Sequence, residues 1–325
     1  MSRMIAGVSL NPLGFGCMNV NHGYGAKLSV EEGVRLIHRA IDLGVEHLDT
    51  AALYGFGRNE EVVGEALKDR RDRVFLASKC GMTGVDGKRV IDGRPQTIKA
   101  TCEAALTRLG TGVIDLYYLH RLDPAVPVEE SVGALADLKA EGKILGIGLS
   151  EVSAVTLYRA HAVHPIAAVQ TEYSLWTRNA EIGVLEACQD LGVAFVAFSP
   201  LARGFLAGGV RSPDFAAGDI RRSMPRFQEP NLSANLALYE AFAALAQRAE
   251  VAPSQLALAW VLSRGEHVHV IPGTTSEAHL VENMQTPQID PAVLAEAEAL
   301  ISPQVVHGAR YDAAAQADVD TEEFA

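Results

Sequence analysis

The chain has 325 residues, of which 48% are hydrophobic and 21% charged, a globular composition that excludes wholesale disorder. Its 40 Asp and Glu against 28 Lys and Arg give a formal net charge of −12, which repels a phosphate backbone, so no nucleic-acid partner is expected. The length suits one barrel-type domain or two ordinary ones.

Residues 1–10 have neither the apolar core nor the small-residue cleavage site of a signal peptide. No apolar run approaches the ~18 residues that span a bilayer, so no membrane partner is expected either. Cys17, Cys80, Cys102 and Cys188 are scattered without a C-x-x-C pair. That spacing suits neither a zinc site nor a disulfide framework and reads as the reduced thiols of a cytoplasmic protein.

Along the chain, short apolar runs alternate with longer amphipathic stretches. The runs fall at residues 13–17, 45–48, 74–77, 114–119, 144–149, 167–169, 193–198 and 268–271. Each is apolar on consecutive positions, as strands buried on both faces are. Ser29 is placed to cap a helix continuing through Val34, Ile37, Ala40 and Ile41. Helical stripes follow at Val62, Val63, Ala66 and Leu67, then at Cys102, Ala105, Leu106 and Leu109. Three more run through Val132, Leu135 and Leu138, through Val155, Leu157 and Ala160, and through Ile182, Leu185, Ala187 and Cys188. Eight strands alternating with helices predict a single α/β domain over 1–325, a (β/α)8 TIM barrel with an N-terminal β-hairpin and extended βα loops. An open doubly wound sheet is the competitor, but its G-x-G-x-x-G fingerprint is incomplete: Gly14 and Gly16 are followed by Asn19 where the third glycine belongs.

Two segments break the repeating unit. Residues 200–232 carry Arg203, Arg211, Arg221, Arg222 and Arg226 with several prolines and no periodicity, and are read as a cofactor-covering loop rather than a floppy insertion. Residues 308–325 are Ala- and acid-rich and are read as a partly disordered tail.

Chemistry in such a barrel sits where strands pass into βα loops. The strand ends here are polar: Asp49 with Tyr54 beyond it, Ser78 and Lys79, His120 and Arg121, Ser150 and Glu151, Gln170, and Ser199. A lysine ammonium ~4 Å from a tyrosine, at an effective dielectric of ~20, favours the phenolate by about 4 kcal/mol and would bring Tyr54 close to working pH. Asp49 would keep Lys79 charged, and a neutral His120 could hydrogen-bond a substrate oxygen. This is apparatus for passing a proton to or from an oxygen. It contains no metal site and needs chemistry from elsewhere, such as hydride from a nicotinamide. Taken singly, Asp49 and Lys79 also fit a structural ion pair, Tyr54 a loop tyrosine, His120 a strand cap and Tyr118 core. Their order at successive strand ends favours the catalytic reading.

Several strings together resemble the aldo-keto reductase superfamily, in its microbial and plant branch. They are GVEHLDTA at 44–51 with YG at 54–55 and NE at 59–60, ASK at 77–79, IDLYYLHR at 114–121, and GIGLSE at 146–151. VQTEYS at 169–174, FSPLARG at 198–204 and IPGT at 271–274 continue the likeness, which covers residues 10–310. The resemblance implies Tyr54 as proton donor, tuned by Lys79 and Asp49, with His120 orienting the carbonyl. It implies Ser150, Glu151 and Gln170 on the nicotinamide carboxamide and Phe198 stacked on the ring. Ser199, Pro200, Leu201, Arg203 and Gly204 would hold the pyrophosphate. Gly273, Thr274, Thr275, Ser276, His279, Glu282 and Asn283 would lie at the adenosine end, at a helix start. Tyr24, Phe56, Met82, Arg121 and Trp176 are the expected pocket wall.

The implied function is NADP(H)-dependent reduction of an aldehyde or ketone to an alcohol. One departure widens the cofactor expectation: Thr275, Ser276 and His279 stand where related sequences carry Lys or Arg against the 2′-phosphate, so NAD(H) is also expected to serve. The expected partners are a small carbonyl or alcohol substrate and, at most, a second copy in a weak homo-oligomer. A Schiff-base aldolase using Lys79 is a rival, opposed by the adjacent Asp49, which raises rather than depresses a lysine pKa. A non-catalytic subunit that merely holds the cofactor is the other.

Overall fold

The computed structural model describes residues 2–25, 27–85 and 88–324. The chain opens with an antiparallel hairpin, β1 (Arg3–Ile5) and β2 (Val8–Leu10), as expected. Seven segments then supply the first part of the barrel and its covering helices: β3 (Phe15–Gly16), α1 (Val30–Asp42), β4 (His47–Asp49), α2 (Arg58–Leu67), β5 (Phe75–Cys80), a second hairpin β6 (Met82–Val85) and β7 (Lys88–Ile91), and α3 (Pro95–Leu109). β8 (Ile114–Leu119), α4 (Val128–Ala140), β9 (Ile144–Ser150), α5 (Ala154–Val163), β10 (Ala168–Glu172), α6 (Val184–Leu191) and β11 (Ala194–Phe198) continue the alternation. α7 (Asn231–Arg248), α8 (Pro253–Leu262), β12 (Val268–Val270), α9 (Glu277–Met284), α10 (Pro291–Leu300) and the short α11 (Ala313–Gln316) complete it.

All eight apolar runs become parallel strands of one sheet, in the order β3-β4-β5-β8-β9-β10-β11-β12. A parallel bridge between Leu13 and Val270 closes it, with Gly14 N donating to Val270 O and Val270 N to Pro12 O, both at 2.9 Å. The result is the (β/α)8 barrel, and the doubly wound alternative falls away. Ser29 caps α1 as predicted, in a capping box with Glu32. Leu36, Ile37, Ala40 and Ile41 form the buried face of that helix, each large side chain stabilising by about 1.5–3 kcal/mol.

Inside the barrel, Ile5 and Leu10 of the first hairpin pack with Phe75, Leu116, Ala168 and Ala194 and plug the N-terminal end. Tyr118 crosses the interior, possible because β9 offers Gly148: a Cβ there would stand 2.3 Å from the Tyr118 ring. Polar chemistry is thereby confined to the opposite, C-terminal mouth.

The second hairpin has no counterpart in the sequence expectations, because its strands are four residues long and of them only Met82 is buried. Residues 200–232 contain only short 3-10 turns before α7 begins. They are nonetheless anchored: Phe205 stacks on Trp176 with ring centres 4.0 Å apart, and Phe227 meets Trp176 edge-on at 5.3 Å. The segment after Gly308, read from composition as partly disordered, lies packed across the mouth with Arg310, Tyr311 and Thr321 buried. Among the described residues, no helix is long and apolar enough to cross a membrane. The four cysteines are free and buried, and among the described residues no cluster of three or more His, Cys, Asp or Glu side chains could hold a metal.

Candidate active site

β4 and β5 lie side by side and end at the mouth, so Asp49 and Lys79 project into it from neighbouring strands. The Lys79 ammonium is fully buried and its three donors are matched: Asp49 Oδ1 at 2.5 Å, Thr50 O at 2.9 Å and Tyr54 Oη at 3.3 Å. The ring of His120, just past the end of β8, meets the Tyr54 ring edge-on at 5.8 Å. The structure thus brings Asp49, Tyr54, Lys79 and His120 together as the sequence suggested.

Tyr54 owes its position to the turn after it. Gly55, Phe56 and Gly57 take φ values of 57°, 55° and 92°, three consecutive left-handed residues that only glycine adopts freely. α2 then pins this turn to the barrel. Asn59 donates to Cys17 O at 2.9 Å and to Asn21 Oδ1 at 2.7 Å, and accepts from the Thr50 hydroxyl at 2.7 Å. Glu60 accepts from Ser78 Oγ at 2.6 Å and Arg108 Nε at 2.7 Å. These anchoring roles were not assigned from sequence, nor was His22, whose ring stacks on Tyr54 at 5.8 Å.

The electrostatics correct one expectation. Burial raises the Tyr54 pKa above the ordinary phenol value, and the opposing effect of Lys79 does not overcome it. The reason is that Lys79 is already paired with Asp49, so Tyr54 faces a nearly neutral ion pair rather than a bare cation. Burial also works against the Lys79 charge, but Asp49 and then Tyr54 outweigh it and hold the ammonium above the ordinary lysine value. Burial, then Arg121 and Lys79, keep His120 well below 6.5 and therefore neutral. The site is an un-ionised phenol poised beside a charged lysine and a neutral imidazole.

Around this core, Gln170 donates to Asp49 Oδ2 at 2.8 Å and Ser150 Oγ accepts from Arg121 at 3.2 Å. Phe198 ends β11 only half-buried at the mouth. Beyond it Ser199, Ala202, Arg203 and Gly204 all have positive φ, with Pro200 and Leu201 between them. Three strained non-glycine residues in so short a loop are what a backbone wrapped around a ligand carries. Across the mouth, Gly273 is pressed against β3, where a Cβ would stand 2.7 Å from Gly16 O. Thr274 Oγ1 accepts from Ser276 N at 3.0 Å, and Ser276 caps α9 through His279 N. Thr275 and His279 are exposed beside that cap, and Asn283 is buried behind it. An aromatic face, a strained loop and an open helix N-terminus, in that order, fit a dinucleotide.

Other expected residues are engaged elsewhere. The Glu151 carboxylate accepts from Glu172 N and Thr321 Oγ1, each at 2.8 Å, and from Arg310, so it faces the C-terminal segment rather than an open carboxamide site. Arg203 is bonded to Glu172 at 2.6 Å, to Tyr311 Oη at 3.0 Å and to Tyr24 Oη at 3.4 Å. Glu282 accepts from the Ser254 hydroxyl. Trp176 is core, covered by Phe205 and Phe227, and Met82 is buried at the start of β6. Phe56 leans on Gly84 and lines a separate cleft of about 600 Å³ with Gln96, Ala100 and Arg108. Of the expected pocket wall, Tyr24 and Arg121 remain at the mouth. Glu172, Arg310 and Tyr311 were missed, although Glu172 follows Gln170 closely enough to mark that strand end.

Comparison with known proteins gives one answer. The aldo/keto reductase family profile matches residues 12–301. A probable aldo-keto reductase 1 of Glycine max is 43% identical over 281 residues, covering 86% of this chain and 81% of that protein. The structure of a glycerol dehydrogenase from Gluconobacter oxydans superposes with a TM-score of 0.85 at 29% identity, covering 95% of this chain and 97% of that one. An aldo/keto reductase from Klebsiella pneumoniae, solved with NADP and acetate, superposes at 0.72 with 28% identity, covering 96% and 98%.

Proposed function

This chain belongs to the aldo/keto reductase family, and from that membership we propose that it reduces an aldehyde or ketone to the alcohol, reversibly, preferring NADPH while accepting NADH. The observation that carries the reading is the buried Lys79 ammonium held between Asp49 and Tyr54 Oη, with His120 alongside.

When bound, the nicotinamide supplies hydride to the carbonyl carbon, or takes it up in the reverse direction. Tyr54 Oη holds the proton that neutralises the developing alkoxide and is the general acid. Lys79 donates a hydrogen bond to Tyr54 Oη and so stabilises the phenolate left after transfer. Asp49 keeps that lysine charged and aimed. His120, neutral, can direct a ring N–H at the carbonyl oxygen and orient it without competing for the proton. Its Nδ1 has no partner among the described residues.

Ser150 and Gln170 would hold the carboxamide, Phe198 the ring face, and the Ser199–Pro200–Leu201 backbone with Arg203 and Gly204 the pyrophosphate. Arg203 would then exchange part of its bonding to Glu172 for phosphate oxygens. Gly273, Thr274, Thr275, Ser276, His279 and Asn283 would take the adenosine end, with residues 200–232 covering the cofactor. The NADP bound to the Klebsiella relative supports the NADPH preference, and the hydroxyls of Thr275 and Ser276 at a helix N-terminus are suited to a phosphate. The raised Lys79 pKa opposes the aldolase alternative, which needs a neutral amine. Fluorescence titration with NADPH and NADH, followed by turnover with a panel of aldehydes and ketones, tests the proposal. Cofactor binding without turnover across the panel would favour a cofactor-holding subunit instead.

A further inference from the structure

The mouth runs against the charge of the molecule. The chain carries −12, yet Arg121, Arg203, Arg226 and Arg310 gather at the mouth, with the Glu151 and Glu172 carboxylates among them. Arg203 and Arg310 are paired with those carboxylates. Arg226 bonds Trp176 O at 2.6 Å, Thr177 Oγ1 at 2.8 Å and Gly308 O at 3.1 Å, which ties the 200–232 segment to the C-terminal segment. Each of those three guanidiniums has structural work.

Arg121 does not. It follows His120 directly, is only half-buried, and makes no ion pair among the described residues. Its Nη1 donates to His120 O at 2.7 Å and to Ser150 Oγ at 3.2 Å. Its Nε and Nη2 have no acceptor among the described residues, and neither is sealed from solvent. The guanidinium is close enough for its charge to act on Tyr54, His120 and Glu151. Lys79 is neutralised by Asp49, and Arg89, whose charge also reaches His120, is paired with Asp318. Among the described residues Arg121 is therefore the cation at the reacting end of the site that has no ion-pair partner, with part of its donor fork free.

We propose that Arg121 anchors an anionic group of the substrate, so that the carbonyl compound preferred by this site carries a carboxylate. The inference rests on the reductase reading and names its substrate class. A guanidinium presents paired N–H groups that match the two oxygens of a carboxylate. A charge-assisted contact of this kind corresponds to a preference of about 10- to 100-fold over a neutral analogue of the same shape.

The test compares 4-carboxybenzaldehyde with its methyl ester, using wild type, R121M and R121K, alongside calorimetric binding of benzoate and benzamide. Wild type is expected to favour the carboxylate about 10- to 100-fold in kcat/KM. That ratio should collapse toward one in R121M, recover in part in R121K, and shrink with added salt. No carboxylate preference in wild type, or equal losses on both aldehydes in R121M, overturns the proposal and leaves the reductase reading intact. If neither aldehyde turns over, benzoate binding that disappears in R121M upholds the anchor while the reductase reading falls. Benzoate binding that is absent, or unaffected in R121M, removes the anchor as well.

Discussion

Gln170 donates its side-chain amide to Asp49 Oδ2 at 2.8 Å, the carboxylate oxygen that Lys79 does not use. Both oxygens of this buried carboxylate are thereby occupied, one by a charge from β5 and one by an amide from β10. An ion pair out of water is tolerable only when its remaining polar positions are satisfied in this way. β10 consequently helps set the orientation of the lysine that faces Tyr54.

Breaking the pair from one side should be costly. Lys79→Met leaves the buried Asp49 carboxyl without its counter-charge, and a loss of about 3–5 kcal/mol in unfolding free energy is expected. The double variant with Asp49→Asn should recover much of that loss, because no uncompensated charge remains. Denaturant unfolding of wild type, the two singles and the double measures both. A Lys79→Met single costing under about 1 kcal/mol would contradict a tightly coupled buried pair.

Acid should destabilise the barrel through its inner histidines. His47 and His269 are buried, neither ring nitrogen of His47 has a hydrogen-bond partner among the described residues, and burial holds each histidine at about 3. In the unfolded chain both titrate near the ordinary value of 6.5. Below that pH the unfolded chain takes up protons that the folded chain refuses, so stability falls as pH drops from about 6.5 toward 3. Each such histidine contributes about 1.4 kcal/mol per pH unit. The double variant His47→Leu/His269→Leu should show a clearly shallower loss of stability between pH 6 and 4. An equally steep acid limb would place the proton uptake elsewhere.

Cofactor choice should respond to the exposed start of α9. His279→Arg puts a permanent charge where the helix N-terminus and the hydroxyls of Thr275 and Ser276 are expected to receive the 2′-phosphate. NADPH should bind about tenfold more tightly, with NADH little changed. Fluorescence titration of both nucleotides reads the difference. Equal gains would mean that α9 does not lie beside that phosphate.

The strands and the polar side chains gathered at the mouth were legible because they are local signals. An apolar run buried on both faces declares itself in a few letters, and Asp49, Lys79 and His120 each stand within two residues of the end of such a run. The C-terminal segment was not legible for the opposite reason. Arg310 and Thr321 matter through Glu151 and Glu172, well over a hundred positions away, and an alanine-rich composition hides such partners. Trp176 was placed in the pocket because an aromatic near a strand end fits either wall or core; only the position of Phe205 over its ring decides between them. The acidity of Tyr54 was misjudged because a pairwise attraction to Lys79 omits both the desolvation of the phenol and the neutralisation of the lysine by Asp49.

The pH profile follows from those corrected electrostatics. With Tyr54 held above the ordinary phenol value and His120 neutral, carbonyl reduction should be level from about pH 6 to 9, with no histidine inflection near 6.5. Alcohol oxidation needs the deprotonated phenol and should rise with pH over the same range. A reduction rate that climbs through pH 6.5 would assign the proton to an imidazole instead.

The most direct test of the central claim is single-turnover carbonyl reduction by Tyr54→Phe beside wild type, with NADPH affinity measured on both. Loss of the general acid should cut the rate by about 10²- to 10⁴-fold, while cofactor affinity stays within about twofold. A Tyr54→Phe protein that reduces carbonyls at the wild-type rate would remove Tyr54 as proton donor, and the mechanism with it.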